Sequence, residues 1–422
     1  MKRLALCIAI FMSAMLLTSC KGGNDDIPES TEVDGKQTLI LARPAEYTTD
    51  FYGTADRLVA EFNSKNSEYY IQEQLYESSD NLSVDIYAGK SIDLLYLGDW
   101  IDPSPLYSKE LLCDLYGFID SDTEVFRSDY VESVLTALEV NGKLYQMPHD
   151  FNVESAVIKA KFWDGSEDMS FEHIIELAEK NGCKVPFDFS LDSYGFIPYI
   201  TSQYIDYSKG ECSFNDGRFE EFLGFIQPYV TVLADMDGDE IYQMFINDEM
   251  LLMDGGFAGF DQLDYLESEV GEELKFVGYP SETPNYHIAV PSTSFAIFSQ
   301  SKKQEGAFEF IKYCTSYGAK MNESDRPKGG VISINRAALE RSAETHMELN
   351  LYKLDEEQIK QNVEEIMQQI NSVNGSGSRS GDVAAAVISE ELQLYFKGDK
   401  SAAEVCEIIQ NRLSTYFNEQ RS

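Results

Sequence analysis

Basic residues are scarce in this 422-residue chain, which carries 33 lysines and arginines against 73 aspartates and glutamates and has a formal net charge of −40. A surface with this excess of carboxylates repels polyanions, so nucleic acid and anionic lipid are excluded as electrostatic partners. The charge serves solubility first of all. It also favours a neutral or cationic ligand over an anionic one.

Histidine and cysteine are few, and their spacing does not suit a metal. The four histidines are scattered and no C-x-x-C pair occurs, so we expect no metal site and no cofactor. Five cysteines remain after the N-terminal region, an odd number, so not all of them can pair. We interpret them as mostly buried single thiols and leave a bridge between Cys183 and Cys212 open. The five are Cys113, Cys183, Cys212, Cys314 and Cys406.

Two tempting motifs lack the residues that their chemistry needs. Residues 235–239 imitate the start of a calcium loop, but Glu240 stands where glycine is required and Ile246 where a bidentate glutamate is required. We therefore expect these acids to precede a helix and to favour its positive end. Residues 375–381 are rich in glycine, but no strand pattern precedes them and their spacing is not G-x-G-x-x-G. We interpret them as a flexible loop near a ligand cleft.

The first twenty residues resemble a bacterial lipoprotein signal. Lys2 and Arg3 precede an apolar run that ends at Leu17 and is too short to span a bilayer comfortably. Residues 17–20, Leu-Thr-Ser-Cys, resemble a lipobox, which implies cleavage after residue 19 and diacylation of Cys20. Several acyl chains together anchor a protein stably, so we expect an extracytoplasmic protein held at the membrane through Cys20.

The chain after the signal divides into a tether and a body. Residues 20–36 are polar, and we expect a flexible tether there, with the folded body beginning near Gln37. No second apolar run of membrane length follows. About 385 residues exceed what one hydrophobic core usually organises, so two domains are expected. Strand and helix patterns alternate, which predicts an α/β fold with largely parallel sheets.

Two local patterns are especially clear. Asn141 and Gly142 stand between two apolar-bearing runs, the signal for a tight hairpin because both central residues need positive φ. A helix is predicted to begin at Ser170 and to end at Gly182. Residues 92–97 read as a buried strand. Since ligands bind beyond the carboxyl ends of strands in open α/β sheets, Asp99 and Trp100, which follow this strand, are candidate site residues.

Seven segments of the chain carry a more specific pattern: residues 141–148, 161–163, 248–257, 277–280, 295–298, 307–311 and 395–404. Taken in this order, they are similar to carbohydrate-type solute-binding proteins of ABC importers, the family that includes the maltose-binding protein. The resemblance implies a two-lobed periplasmic-binding-protein-like fold of type II, with a hinge of crossing segments. It places lobe 1 at residues 37–147 plus 293–335 and lobe 2 at residues 148–292 plus 336–422.

Sugar capture needs aromatic faces for the apolar side of the ring and polar groups for its hydroxyls. Trp100 and Phe257 are the stacking candidates, with core packing as the alternative for Phe257, while Trp163 is assigned to the core. Asp99, Asp150 and Asn152 are the hydrogen-bonding candidates, with solvated loop carboxylates or turn-forming side chains as the alternative. The complete set of predicted ligand-binding residues is Phe51, Tyr52, Asp99, Trp100, Asp150, Asn152, Tyr194, Gly256 and Phe257.

The resemblance implies a monomeric receptor that captures a sugar or oligosaccharide and hands it to the permease subunits of an ABC transporter. It implies no catalytic residues. A receptor of similar fold for a cationic solute such as a polyamine is an alternative, because Asp99 beside Trp100 could hold an ammonium group. A secreted carbohydrate-active enzyme is a third hypothesis, although no nucleophile elbow or metal cluster supports it. Among 73 carboxylates some pairs resemble a glycosidase dyad, and sequence cannot give their separation.

Overall fold

A computed structural model describes residues 32–44, 54–97, 103–189, 197, 200, 203–207, 209–233, 236–281, 286–316, 318, 332–377 and 383–421. The strands are β1 (Glu32–Val33), β2 (Lys36–Pro44), β3 (Tyr69–Tyr76), β4 (Leu94–Tyr96), β5 (Met147–Lys159), β6 (Val185–Phe187), β7 (Ile205–Asp206), β8 (Glu211–Cys212), β9 (Met250–Phe257), β10 (Leu274–Phe276), β11 (Ile288–Ile297), β12 (Ile332–Ser333) and β13 (Gly375–Ser376).

Helices occupy much of the remaining described chain. They are α1 (Thr54–Lys65), α2 (Ser79–Tyr87), α3 (Ser104–Ser108), α4 (Leu115–Ser121), α5 (Glu132–Leu138), α6 (Phe171–Asn181), α7 (Arg218–Leu233), α8 (Gly238–Ile246), α9 (Gln262–Val270), α10 (Gln304–Cys314), α11 (Arg336–Leu349), α12 (Glu356–Ser372), α13 (Val383–Phe396) and α14 (Ala402–Arg421). The predicted α/β class is confirmed, with about 50% helix around a large sheet.

The hairpin and the helix predicted from local signals are present. Asn141 and Gly142 have φ of 54° and 74°, and Val140 and Lys143 exchange backbone hydrogen bonds of 2.9 and 3.1 Å across the turn. Both turn residues thus adopt the left-handed conformation that a tight hairpin requires. The side chain of Ser170 accepts a hydrogen bond from His173 N at the start of α6, and Gly182 ends the helix with φ of 75°.

The main sheet has eleven strands and is mixed rather than largely parallel. Strands β2, β3 and β4 run parallel to one another, and β6 is parallel to β9. Between these groups lie β5 and β11, which are antiparallel to each other, while β11 is antiparallel to β4 and β5 is antiparallel to β9. The prediction of parallel strands therefore holds for the flanking groups and is wrong for the centre of the sheet. The two long central strands join the groups.

The register between β5 and β11 shifts near the middle of both strands. Pro291 lies opposite Phe151, Thr293 opposite Asp150 and Ser294 opposite Pro148, so each strand contains one residue there that has no opposite residue in this ladder. Such bulges bend a strand and increase its twist. The shift lies beside the predicted lobe boundaries at residues 147/148 and 292/293. Those boundaries stay a prediction.

Regular structure begins earlier in the chain than the sequence indicates. Strand β1 pairs with β2, with Glu32 opposite Gln37 and Val33 opposite Lys36. The predicted tether over residues 20–36 is therefore too long at its carboxyl end, because a two-residue strand has too little periodicity to be visible in sequence. Within the part of the chain that the structure describes, no helix is both long and apolar enough to cross a bilayer.

All five described cysteines are free thiols, so the open alternative of a Cys183 to Cys212 bridge is not realised. Cys314 and Cys406 are buried, and the other three are half-buried. The acidic motif around residue 237 acts as a helix cap: Asp237 accepts from Glu240 N at 2.9 Å, and Glu240 accepts from Asp237 N at 3.0 Å, at the start of α8. Their carboxylates favour the positive end of the helix, as expected.

Candidate functional site

The carboxyl ends of strands from both flanking groups converge on the middle of β5 and β11. On one side β4 ends at Tyr96, opposite Phe295, and Leu97 N donates to Ser294 O at 3.0 Å. On the other side β9 ends at Phe257, opposite Val153 of β5. Ligands of open α/β sheets bind beyond such strand ends. The segment of β5 between residues 148 and 154 therefore forms the base of the candidate site.

Three polar side chains follow one another on a single face of this segment. Asp150, Asn152 and Glu154 alternate with the apolar residues Phe151 and Val153, and neighbours two apart in a strand lie on the same face, roughly 7 Å from each other. All three are buried, with exposures of 3%, 8% and 6%. Polar residues on a buried strand face need partners, so their environment decides what this surface can bind.

The side chain of Asp150 is held in place by a hydrogen bond from β11. Its Oδ1 accepts a hydrogen bond from Thr293 N at 2.9 Å, across the register shift between β5 and β11. This bond satisfies a backbone donor that the irregular ladder would otherwise leave without a partner. Asp150 therefore has a structural role in holding β5 and β11 together, besides the ligand-binding role predicted from the sequence.

Asn152 is the residue of this face whose side chain has no hydrogen-bond partner among the residues that the structure describes. It lies opposite Val290 of β11, and its amide forms no hydrogen bond with any of the described residues. A primary amide offers two donors and an acceptor, so an amide that the described residues leave without a partner can bind a ligand or water. Of the predicted polar residues with a described position, Asn152 is the one whose side chain the described residues leave available for a ligand.

Glu154 lies over a glycine of the neighbouring strand. Gly256 is directly opposite it in the β5–β9 ladder, and a Cβ atom at Gly256 would come within 2.5 Å of Val153 O and 2.7 Å of Glu154 Oε2. Only glycine leaves room for the Glu154 carboxylate here. Gly256, predicted as a ligand-binding residue, thus provides the close approach that positions Glu154.

A third carboxylate of the same face stands on β9. Asp254 lies opposite Ala156, on the same face as Glu154, and is half-buried. Its Oδ1 accepts from the hydroxyl of the fully buried Tyr279 at 2.8 Å, which fixes its direction. Diagonal neighbours across two strands are about 7–8 Å apart, so Asp254 and Glu154 contribute to one acidic surface.

Phe257 is a core residue, which corrects its assignment as a stacking surface. It is 2% exposed, and its ring centroid lies 4.9 Å from that of Phe276. In the β5–β9 ladder it is opposite Val153, so it occupies the face away from Asn152 and Glu154. Sequence could not separate the two roles, because a large aromatic at a strand end suits both. Trp163 is half-buried against the core, as expected.

The other predicted site residues lie outside the described residues. They are Phe51, Tyr52, Asp99, Trp100 and Tyr194, together with the lipidation candidate Cys20. Glu154 and Asp254 were missed by the sequence analysis. A usable signal existed for Glu154: polar residues at 150, 152 and 154 alternate with the apolar residues Phe151 and Val153, with a period of two. Asp254 becomes a candidate only once the pairing of β9 with β5 is known.

The glycine-rich segment also reaches this region. Residues Gly375–Ser376 form β13, which pairs in parallel with the start of β11, Gly375 opposite Ile288. The prediction of a flexible loop is therefore wrong for these two residues. Residues 378–382 lie outside the described residues. Ile288 also lies opposite Glu154, so β11 is the strand that separates β13 from Glu154 in the sheet. Across the described residues, no group of three or more His, Cys, Asp and Glu side chains could hold a metal ion.

The family model for bacterial extracellular solute-binding proteins matches residues 57–347. The chain belongs to this family. A search of curated proteins found no significant match to this solute-binding protein. Among solved structures it is similar to the sugar-binding protein MalE from the phytopathogen Xanthomonas citri, with 13% identity and a TM-score of 0.61 over 91% of this chain and 98% of that one.

Two further structures share this fold. One is an ABC substrate-binding protein from Listeria monocytogenes in complex with cycloalternan, at 15% identity and a TM-score of 0.55 over 90% of this chain and 99% of that one. The other is an ABC transporter solute-binding protein from Thermotoga lettingae bound with α-D-tagatose, at 14% identity and a TM-score of 0.53 over the same shares of each chain. The solute-binding protein thus has the two-lobed fold of MalE-like proteins, as predicted.

Proposed function

We propose that this solute-binding protein captures a sugar or oligosaccharide at the face of β5 that carries Asp150, Asn152 and Glu154, and delivers it to an ABC transporter permease. The observation that carries the proposal is the amide of Asn152, which is almost buried at the convergence of the strand ends and has no partner among the described residues. A sugar hydroxyl can donate to such an amide and accept from it at once.

Two lines of evidence support a sugar as the ligand. The structurally similar proteins named above include MalE and receptors in complex with cycloalternan and with tagatose. The polar face itself is rich in acceptors, and hydroxyls supply the matching donors. Membership of the solute-binding family supports delivery to a permease. The protein itself would carry out no chemistry.

The membrane anchor is part of the same proposal and rests on the N-terminal sequence alone. The apolar run and Leu-Thr-Ser-Cys at residues 17–20 support cleavage before Cys20 and acylation of its thiol. In bacteria expressing the full chain, labelled fatty acid should be incorporated and the protein should sediment with membranes. Cys20→Ala should abolish the label and release or misprocess the chain. Label retained in that variant would contradict the anchor.

A panel of ligands tests the capture function. The full-length protein, purified in detergent, is screened by thermal unfolding against mono- and oligosaccharides and against polyamines, because a ligand that binds only the folded state raises the melting temperature by mass action. A rise with one glycan family, confirmed by calorimetry, supports the sugar receptor. No response to any sugar counts against it.

A cationic solute such as a polyamine is the second candidate, and one feature favours it. Asp150, Glu154 and Asp254 place three carboxylates on a single face. A response confined to polyamines, with an affinity that falls steeply as salt is added, would put this candidate first, because salt screens charge attraction far more than hydroxyl recognition.

A further inference from the structure

We propose that a cavity between α5 and the end of α12 is a second small-molecule site of this protein, and that its ligand is a zwitterionic amino acid. The volume of the cavity is about 420 Å³. Small-molecule sites in proteins span roughly 300–1,000 Å³. None of the lining residues belongs to the face of β5 that is proposed for sugar capture. The two sites are therefore separate, and the side chains of the cavity decide its own ligand.

Hydrogen bonds beside the cavity hold its walls together. Ser133 of α5 lines the cavity and donates its hydroxyl to Ile370 O, near the end of α12, at 2.7 Å. Just before α5, Val131 N donates to Ile334 O at 3.0 Å, close to the start of α11. Walls that are already bonded to each other need little rearrangement on binding, which lowers the entropic cost of holding a ligand.

Arg336, the first residue of α11, supplies a guanidinium to the cavity. Its hydrogen-bond partner among the described residues is Tyr130 O, 3.2 Å from Nη2. Of the arginines with a described side chain it alone pairs with no carboxylate, whereas the others do: Arg43, Arg57, Arg127, Arg218, Arg341 and Arg412. Since a guanidinium binds a carboxylate through two parallel hydrogen bonds, Arg336 can take the carboxylate of a ligand.

Glu132, the first residue of α5, brings the opposite charge to the same cavity. Its carboxylate forms no hydrogen bond or ion pair with any described residue, Arg336 included. A cation and an anion that line one cavity without contacting each other leave room for a ligand group of each sign. A ligand ammonium beside Glu132 and a ligand carboxylate beside Arg336 would satisfy both side chains.

The helix ends at the cavity act in the same direction as these two side chains. Helix α11 begins at Arg336, so its partial positive charge lies beside the guanidinium. Helix α12 ends at Ser372, and its partial negative charge lies near Ser133, the neighbour of Glu132. A ligand carboxylate is therefore favoured at the Arg336 side and an ammonium at the Glu132 side.

The rest of the lining suits an amino acid with a small side chain. Thr136 and Asn371 offer a hydroxyl and an amide, and neither side chain has a hydrogen-bond partner among the described residues. Ala137 and Val373 add a small apolar surface. Alanine, serine, threonine and valine are therefore the amino acids that match this lining.

Calorimetric titration of the full-length protein, purified in detergent, with free amino acids tests the proposal. At least one of these four amino acids should bind with a dissociation constant of about 1 mM or lower. Its two single-charge analogues, which for alanine are ethylamine and propionate, should bind at least about tenfold more weakly, because each leaves one charged side chain without a partner. An analogue that binds as tightly as the amino acid would overturn the zwitterion assignment. No binding by any amino acid would overturn the site itself.

Substitutions test whether the amino acid occupies the cavity. Arg336→Gln and Glu132→Gln should each weaken amino-acid binding at least about tenfold, since each leaves one ligand charge without a partner. The matched control is Glu172→Gln, which removes an exposed glutamate from the first turn of α6 that also lacks a partner among the described residues. The control should bind as the parent does.

Cooperative thermal unfolding of all three variants separates lost binding from lost folding. Parental affinity in both folded cavity variants would contradict the roles of Arg336 and Glu132. Amino-acid binding that survives Arg336→Gln but disappears in Asn152→Ala would place the ligand on the face of β5 and overturn the cavity site.

Discussion

Two buried asparagines of this protein differ in what their amides do. Asn152 has no hydrogen-bond partner among the described residues, whereas Asn362, 3% exposed, donates to Asp264 at 2.8 Å and to Glu267 at 3.0 Å and accepts from Gln358 at 2.9 Å. A buried amide with all its partners contributes to folding, while one without them is available to a ligand. The contrast separates the binding role proposed for Asn152 from the structural role of Asn362.

Asn152→Ala should therefore weaken sugar binding by at least about tenfold and leave the free energy of unfolding within roughly 0.5 kcal/mol of the parent. Asn362→Ala should do the reverse, costing about 1–3 kcal/mol because Asp264 and Glu267 lose a donor, with little change in affinity. Calorimetric titration measures the sugar affinity of both variants, and urea unfolding measures their free energies of unfolding. A strongly destabilised Asn152→Ala would show that the amide serves the fold.

Lys159 is the most buried cation of a charge cluster at the far end of β5. It is 1% exposed, and its Nζ contacts Ile246 O at 2.7 Å, Asp248 Oδ1 at 2.6 Å and Glu272 Oε1 at 2.9 Å. Lys161 bonds the same two carboxylates from the surface. Hydrogen bonds from Lys161 and Lys159 lower the pKa of Glu272.

Lys159→Met should lower the free energy of unfolding by about 2 kcal/mol, because the carbonyl of Ile246 and the two carboxylates lose their buried donor. Lys161→Met, at a half-exposed position with the same partners, should cost about 0–1 kcal/mol. Urea unfolding at neutral pH measures both. Equal losses in the two variants would mean that burial adds nothing to the Lys159 contacts.

At the scale of the element, the pairing of β5 with β9 depends on a glycine. A Cβ at Gly256 would meet backbone and carboxylate oxygens at 2.5 and 2.7 Å, so Gly256→Ala should push the strands apart at Glu154 and cost about 1–3 kcal/mol. Gly224, inside α7, has no atom within 4 Å of its Cβ position, so Gly224→Ala should stabilise the protein by about 0.5–1 kcal/mol. Thermal unfolding of both variants checks the opposite signs. Sugar affinity is a second measurement, because it should fall in Gly256→Ala and stay unchanged in Gly224→Ala.

Elements defined by their own residues could be predicted from the sequence, and long-range pairing could not. The Asn141–Gly142 turn and the Ser170 and Gly182 helix ends follow from local conformational preferences, and all are present. Strand β13 is stabilised by Ile288, far away in the chain, and its own composition suggests a loop. The same limit applies to the site: Asn152 could be proposed from its position, but the burial of Phe257 depends on Phe276.

At the scale of the whole molecule, β5 and β11 join both strand groups into one sheet, and residues from both groups belong to one hydrophobic core. Because β5 also carries Asp150 and Asn152, the base of the candidate site is built into the most central part of the fold. A loss of stability near β11 is therefore expected to affect both strand groups.

His287, the residue before the start of β11, makes the stability of the protein depend on pH. It is fully buried, and burial lowers the pKa of its imidazole from 6.5 to about 4, with the facing Gln369 opposing the shift. Between pH 6.5 and 4 the unfolded chain therefore binds a proton that the folded protein does not, so stability falls as the pH falls through this window.

The loss between pH 7 and pH 5 should be about 2 kcal/mol from this residue. His287→Met should remove this part of the pH dependence of the free energy of unfolding, because that dependence reflects the difference in protons bound by the folded and unfolded states. This holds whatever the substitution does to stability at pH 7. Urea unfolding of the parent and the variant at a series of pH values measures the difference. The same slope in both proteins would mean that His287 takes up its proton in the folded state, and that the start of β11 opens to water before the molecule unfolds.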